Sequence, residues 1–151
     1  MTLLVIFVIF PNIIIGGLSV GFGSNNFNIK CDNKAFVSLA IWLTVTGVVM
    51  IIHIITKFIL LVKCYSIPNP TKKRKLIFKI MIGIGMIYLI FLIGWNVVGS
   101  ISFFKYSNEC KNIEESLWIM MLITLIFQWL SIIVMVCYNL YNIHILRTRN
   151  D

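Results

Sequence analysis

Four apolar runs, at about residues 2–22, 35–62, 80–104 and 117–140, leave this 151-residue chain little choice of solvent. A hydrocarbon core about 30 Å thick is crossed by about 20 helical residues, and each run reaches that length. Strands would show strict alternation over about 9–11 residues, and the runs show none. Inside lipid every backbone donor and acceptor must be paired within the chain, which favours helices. Composition agrees, with 60% hydrophobic and 12% charged residues, where a soluble domain carries about 25% charged. The expected fold is an all-α integral membrane protein, a single domain over residues 1–151, folded as an antiparallel four-helix transmembrane bundle.

The net charge of +8 is arranged for topology rather than for nucleic acid. Lys57, Lys63, Lys72, Lys73, Arg74, Lys75 and Lys79 follow one another with no acid between them, and Arg147 and Arg149 stand near the end. The connectors at 24–34 and 105–116 hold two lysines each, with Asp32 in one and Glu109, Glu114 and Glu115 in the other. Loops rich in Lys and Arg stay on the cytoplasmic side. Both termini and the connector broken by Pro68 and Pro70 are therefore expected in the cytoplasm, in the plasma membrane or another membrane of the secretory pathway. Lys72, Lys73, Arg74 and Lys75 form the basic cytoplasmic loop. Anionic lipid is its expected partner, at about 1 kcal/mol per basic residue near the surface. A second reading of the first run is a signal peptide cut near Ser19–Gly21, which would leave three spans. The run lacks a basic leading region and is split by Pro11, which favours retention.

Cys31 and Cys110 each stand alone in an outward connector, whereas Cys64 and Cys137 lie toward the reducing side. In an up-down-up-down bundle the two outer hairpins are neighbours, so a Cys31–Cys110 disulfide is expected, the other reading being two unrelated loop thiols. A loop of that length is worth at most about 4–5 kcal/mol in the chain-entropy model.

Polar groups at membrane depth carry the rest of the signal. Counted from the outer helix ends at about 1.5 Å per residue, Asn12, Thr46, Asn96 and Gln128 fall roughly 12–17 Å deep. They form an expected mid-membrane polar layer, read either as interhelical hydrogen bonding or as the lining of a hydrated path. Trp42, Thr46, His53 and Lys57 share one helix face, and His53 with Lys57 marks a candidate inner-leaflet polar site. Gly17 and Gly21, echoed by Ser19 and Gly23, and Gly94 with Gly99 are expected where helices approach closely, within the chain or between copies.

No CxxC, HExxH or phosphate-binding loop occurs. The chain is expected to be no enzyme and to hold no metal or cofactor. The expected function is that of a non-enzymatic multi-pass membrane protein acting through helix–helix contacts, as a homo-oligomer or an accessory subunit. The alternative is a small channel or transporter using the polar layer.

Gly94-Trp95-Asn96-Val97-Val98-Gly99-Ser100, then Phe103 and Cys110, resembles the third-span signature of the transmembrane protein 272-like family. A glycine-rich first span leading to Cys31 fits the same pattern, so the resemblance covers Ile13 to Trp129, although Asp32 follows Cys31 where that pattern has proline. It implies a four-span membrane protein and assigns no activity.

Substituted-cysteine alkylation in sealed vesicles tests this topology. Reagents from one side should reach cysteines placed at 30 and 111, beside the two expected disulfide positions, and reagents from the other should reach 72–75. Labelling of 30 and 111 from opposite sides would overturn the four-span reading.

Overall fold

A computed structural model of the chain describes residues 2–28, 37–66 and 72–148. These form α1 (Thr2–Asn25), α2 (Leu39–Tyr65), α3 (Lys72–Tyr106), the short α4 (Asn108–Ile113) and α5 (Glu115–Thr148). No strand occurs among the described residues. Three helices contain stretches long and apolar enough to cross a membrane: Leu39–Cys64, Lys79–Tyr106 and Glu115–Cys137. The all-helical, membrane-type class is thus as the sequence reads.

The helix ends differ from the sequence expectation in a consistent direction: the helices are longer. α3 begins at Lys72, so Lys72, Lys73, Arg74 and Lys75 are its first turn rather than part of a loop. Between Thr71 and Ile82 there is neither Gly nor Pro, and Lys, Arg and Leu are good helix formers. α3 therefore overhangs its apolar stretch by seven residues, Lys72 to Phe78. α5 likewise runs on to Thr148, and α4 occupies the connector at 105–116, again where no Gly or Pro intervenes.

Serines set the ends of α2. The Ser38 hydroxyl accepts from the Ile41 N–H at 3.2 Å, satisfying one of the amides that a helix start leaves unpaired. At the other end the Ser66 N–H and hydroxyl both donate to the Val62 carbonyl, at 3.0 and 2.9 Å.

Contacts between α1, α2, α3 and α5 show that successive long helices run antiparallel. Gly16 of α1 meets Gly47 and Met50 of α2, and Gly23 meets Ala40 and Thr44. Trp95 of α3 bonds to Thr46 of α2, and Tyr88, two turns earlier, stacks on His53. Ser100 of α3 meets Trp129 of α5, and Phe103 meets Trp118. Ser19 of α1 bonds to Thr124 of α5, which closes the bundle. The larger core lies at the end carrying α4 and is built on Leu39, Trp42, Leu43, Phe103, Leu117 and Met121. A smaller one, Tyr88, Leu89, Leu92 and Ile132, lies toward the opposite, basic end.

The glycines that meet a neighbouring helix are Gly16, Gly23, Gly47 and Gly99. A Cβ at Gly47 would lie 2.7 Å from Val20 Cγ2 and 2.9 Å from the Val20 nitrogen, and would run into the Gly16 carbonyl. A Cβ at Gly23 would lie 2.7 Å from the Ala40 carbonyl oxygen. Gly17, Gly21 and Gly94, expected where helices approach closely within the chain or between copies, have open space where a Cβ would stand and are exposed, so they meet no other helix within the chain. The reason is angular. Gly17 and Gly21 are each about 100° or more around α1 from the Gly16–Ser19–Gly23 face that α2 and α5 cover.

Gly47→Leu should therefore lower stability by about 1–3 kcal/mol through overpacking, whereas Gly17→Leu should leave the monomer unchanged. Thermal unfolding of the two variants in mild detergent, followed by circular dichroism, distinguishes these outcomes.

Candidate functional site: the buried polar interior

All four tryptophans of the chain place their indole N–H on a hydrogen-bond acceptor. Trp42 Nε1 donates to the Trp95 carbonyl at 2.9 Å, and Trp95 Nε1 donates to Thr46 Oγ1 at 2.9 Å. These two bonds join α2 to α3 twice within about one helical turn. The first depends on Gly99. By α-helical pairing the Trp95 carbonyl already accepts the Gly99 amide, and its second lone pair takes the indole. Reaching that lone pair lays the Trp42 ring across residue 99, where a Cβ would collide with it. Trp95 itself is half-buried and directed at Thr46.

Trp118 Nε1 donates to Ser107 Oγ at 3.1 Å, and Trp129 Nε1 to Ser100 Oγ at 3.3 Å. These bonds tie α5 to α3 and to its end. Ser19 Oγ and Thr124 Oγ1 lie 3.2 Å apart. Thr124 already donates to the Met120 carbonyl at 2.8 Å, and a hydroxyl has one proton, so Ser19 is the donor between α1 and α5.

Of the expected polar layer, Thr46, Asn96 and Gln128 are buried on α2, α3 and α5. Asn12 is half-buried on α1. Because α1 runs on to Asn25, Asn12 lies deeper than counting from residue 22 suggests, and Ser19 is the α1 hydroxyl that meets α5. Asn96 Nδ2 donates to the Leu92 carbonyl of its own helix at 2.8 Å, not to another helix. Gln128 Nε2 meets Met50 Sδ at 3.6 Å. The oxygens of both amides, and Nε2 of His53, are buried without a hydrogen-bond partner. His53 is buried against Tyr88, with ring centroids 3.5 Å apart and planes at 10°, and Lys57 is half-buried one turn further on.

Cys110 is wholly buried in the larger core; Cys64 and Cys137 are the free cysteines among the described residues. Cys31 lies outside the described residues. No group of three or more His, Cys, Asp or Glu capable of holding a metal occurs among the described residues. The sequence reading passed over Thr124, Gly16 and Gly47. The Gly16–Ser19–Gly23 spacing of three and four was the available signal for the α1 face, and it overlaps the Gly17–Gly21 pattern that obscured it.

Comparison with protein-family models, with curated proteins and with solved structures gave no match.

Replacing Trp95 by Phe removes its bond to Thr46 and should cost about 0.6–2 kcal/mol. Asn96→Leu should cost less than Trp95→Phe or raise stability, because it removes an unsatisfied buried oxygen along with a bond inside one helix. Unfolding free energies of both variants in a mild denaturing detergent series test this ordering.

Proposed function

We propose that the chain is a non-enzymatic four-span membrane protein that acts through helix–helix contacts, as a homo-oligomer or as an accessory subunit of a larger membrane assembly. The observation that carries this reading is the use made of polar side chains: every indole N–H, with Thr46, Ser100, Ser107, Ser19 and Thr124, joins one part of the bundle to another. The remaining surface is apolar where a membrane would meet it, as at Ile87, Ile90 and Phe104. α1 is the fourth span in this reading; its 24 residues cover about 36 Å, and it packs antiparallel on α2 through Gly16, Gly23 and Gly47. Both termini are cytoplasmic, with Lys72–Lys75 at anionic headgroups, and Cys31 bridges to Cys110 between the outer hairpins. The architecture is that implied by the resemblance to the transmembrane protein 272-like family.

A channel or transporter is the second reading, and one observation favours it: Asn96 Oδ1 and Gln128 Oε1 are unpartnered acceptors on two helices of the polar layer. Solute entering between those helices would find oxygen ligands there.

Oligomeric state and flux separate the two. Cross-linking in native-like nanodiscs should trap a homo-oligomer or a complex with another membrane protein. Gly17→Leu with Gly21→Leu, at positions open to the outside, should disperse it without unfolding the monomer. Liposomes carrying the pure protein should pass neither ions nor small solutes; flux altered by Gln128→Leu would favour the channel instead. Non-reducing electrophoresis should show a mobility change on reduction that Cys110→Ser abolishes.

A further inference from the structure

Because α3 starts at Lys72, its cations are set out by helical geometry rather than strung along a loop. Successive residues of an α-helix stand about 100° apart, so positions 72, 75 and 79 fall within an arc of about 60°, while Lys73 and Arg74 fall on other sides. The same row continues down the apolar stretch through Ile82, Met86 and Ile90, which are 44%, 45% and 68% exposed. The buried residues Leu92 and Gly99 lie on the other side of the helix. Lys79 is exposed, and Leu76 beside it is 58% exposed, so the overhanging turns keep the same phase. Three lysine positions thus stand in line above the outward, lipid-facing side of α3.

No described residue at this end of the bundle offers them a counter-charge. No acid occurs between Asp32 and Glu109, and α5 carries its one acid, Glu115, at the far end. The first turn of α3 holds no acid either, although cations there oppose the helix dipole. The row is also spread in depth. Lys79 opens the apolar stretch. Position 75 stands about 6 Å beyond it along the helix, and position 72 about 10 Å.

We propose that this face of α3 binds a polyphosphorylated inositol lipid, with its phosphodiester beside Lys79, its ring phosphomonoesters beside Lys75 and Lys72, and its acyl chains against Met86 and Ile90. The spread in depth selects the headgroup. A phosphomonoester carries a charge of about −1.5 to −2, and an inositol ring holds such groups several ångströms outside the phosphodiester. Phosphatidylserine keeps its charges at one level and meets only the inner end of the row. The exposed apolar row below Lys79 selects a lipid over a soluble inositol phosphate. This inference rests on the reading that Lys72–Lys75 meet anionic headgroups, and it narrows that reading to one lipid class and one face of the helix.

The test titrates the full chain in mild detergent with phosphatidylinositol bisphosphate, phosphatidylserine or phosphatidylcholine, and counts bound lipids by native mass spectrometry. The bisphosphate should bind about tenfold more tightly than phosphatidylserine, and soluble inositol trisphosphate should compete weakly. Lys72→Gln, Lys75→Gln and Lys79→Gln together should abolish that preference. Lys63→Gln, Lys73→Gln and Arg74→Gln together remove the same charge from other positions and should keep it. Lys79→Gln alone, at an exposed position, gives the same comparison at lower amplitude if the triple variant fails to insert. Equal loss in the two triple variants would overturn the proposal, as would a preference indifferent to Lys79→Gln. Equal binding of phosphatidylserine would overturn it while leaving the headgroup reading intact; binding of neither anionic lipid would sink both. Soluble polyglutamate displacing the lipid more strongly than inositol trisphosphate would overturn it in favour of an acidic protein segment.

Discussion

The bundle depends on indole N–H groups that have nowhere to go but inward. In hydrocarbon no water receives a stray donor, and a buried unpaired group costs about 1–3 kcal/mol. Four tryptophans therefore constrain the fold more than their number suggests, because each N–H must find an oxygen on another segment. The Trp42–Trp95–Thr46 arrangement is the tightest instance. Gly99 clears the space, the Trp95 carbonyl accepts twice, and Thr46 receives the second indole. Rotation of α3 by one residue would break both bonds together and drive a side chain into the Trp42 ring.

The two ends of the bundle are built differently. At the α4 end, Trp42, Phe103, Leu117 and Met121 interlock, and Ser107 and Trp118 tie the turn before α4 to α5. Toward the basic end the core shrinks to Tyr88, Leu89, Leu92 and Ile132, and a groove remains between α2 and α3. Satisfied polar groups go with the first end. The unpartnered atoms of Asn96, Gln128 and His53 mark where packing alone does not complete the structure.

Much of this was legible in the sequence, and the remainder was hidden for identifiable reasons. Three of the four expected spans, at Leu39–Cys64, Lys79–Tyr106 and Glu115–Cys137, followed from apolar length, because hydrocarbon thickness admits few solutions. Burial of Thr46, Asn96, Gln128 and His53 followed from the cost of exposing them to lipid. Helix ends were less legible: Lys72–Lys75 and residues 141–148 are polar enough to look like loops, yet nothing in them interrupts helical hydrogen bonding. Rotational phase was the least legible. Gly17 and Gly16 differ by one residue, and only the neighbour's position decides which is covered. Asn96 gave its depth but not its partner, since a carbonyl four residues back is always in reach.

The overhang of α3 has a mechanical consequence. Its first turn carries Lys72, Lys73, Arg74 and Lys75 beyond the apolar stretch that starts at Lys79. Drawing that turn into hydrocarbon would expose cations that cost about 2.5–3.5 kcal/mol each at mid-bilayer. α3 thus behaves as a bolt with a flange: it resists pistoning along its axis. Through the Trp95 bonds the flange also fixes the vertical register of α2, and with it the level at which His53 and Lys57 sit.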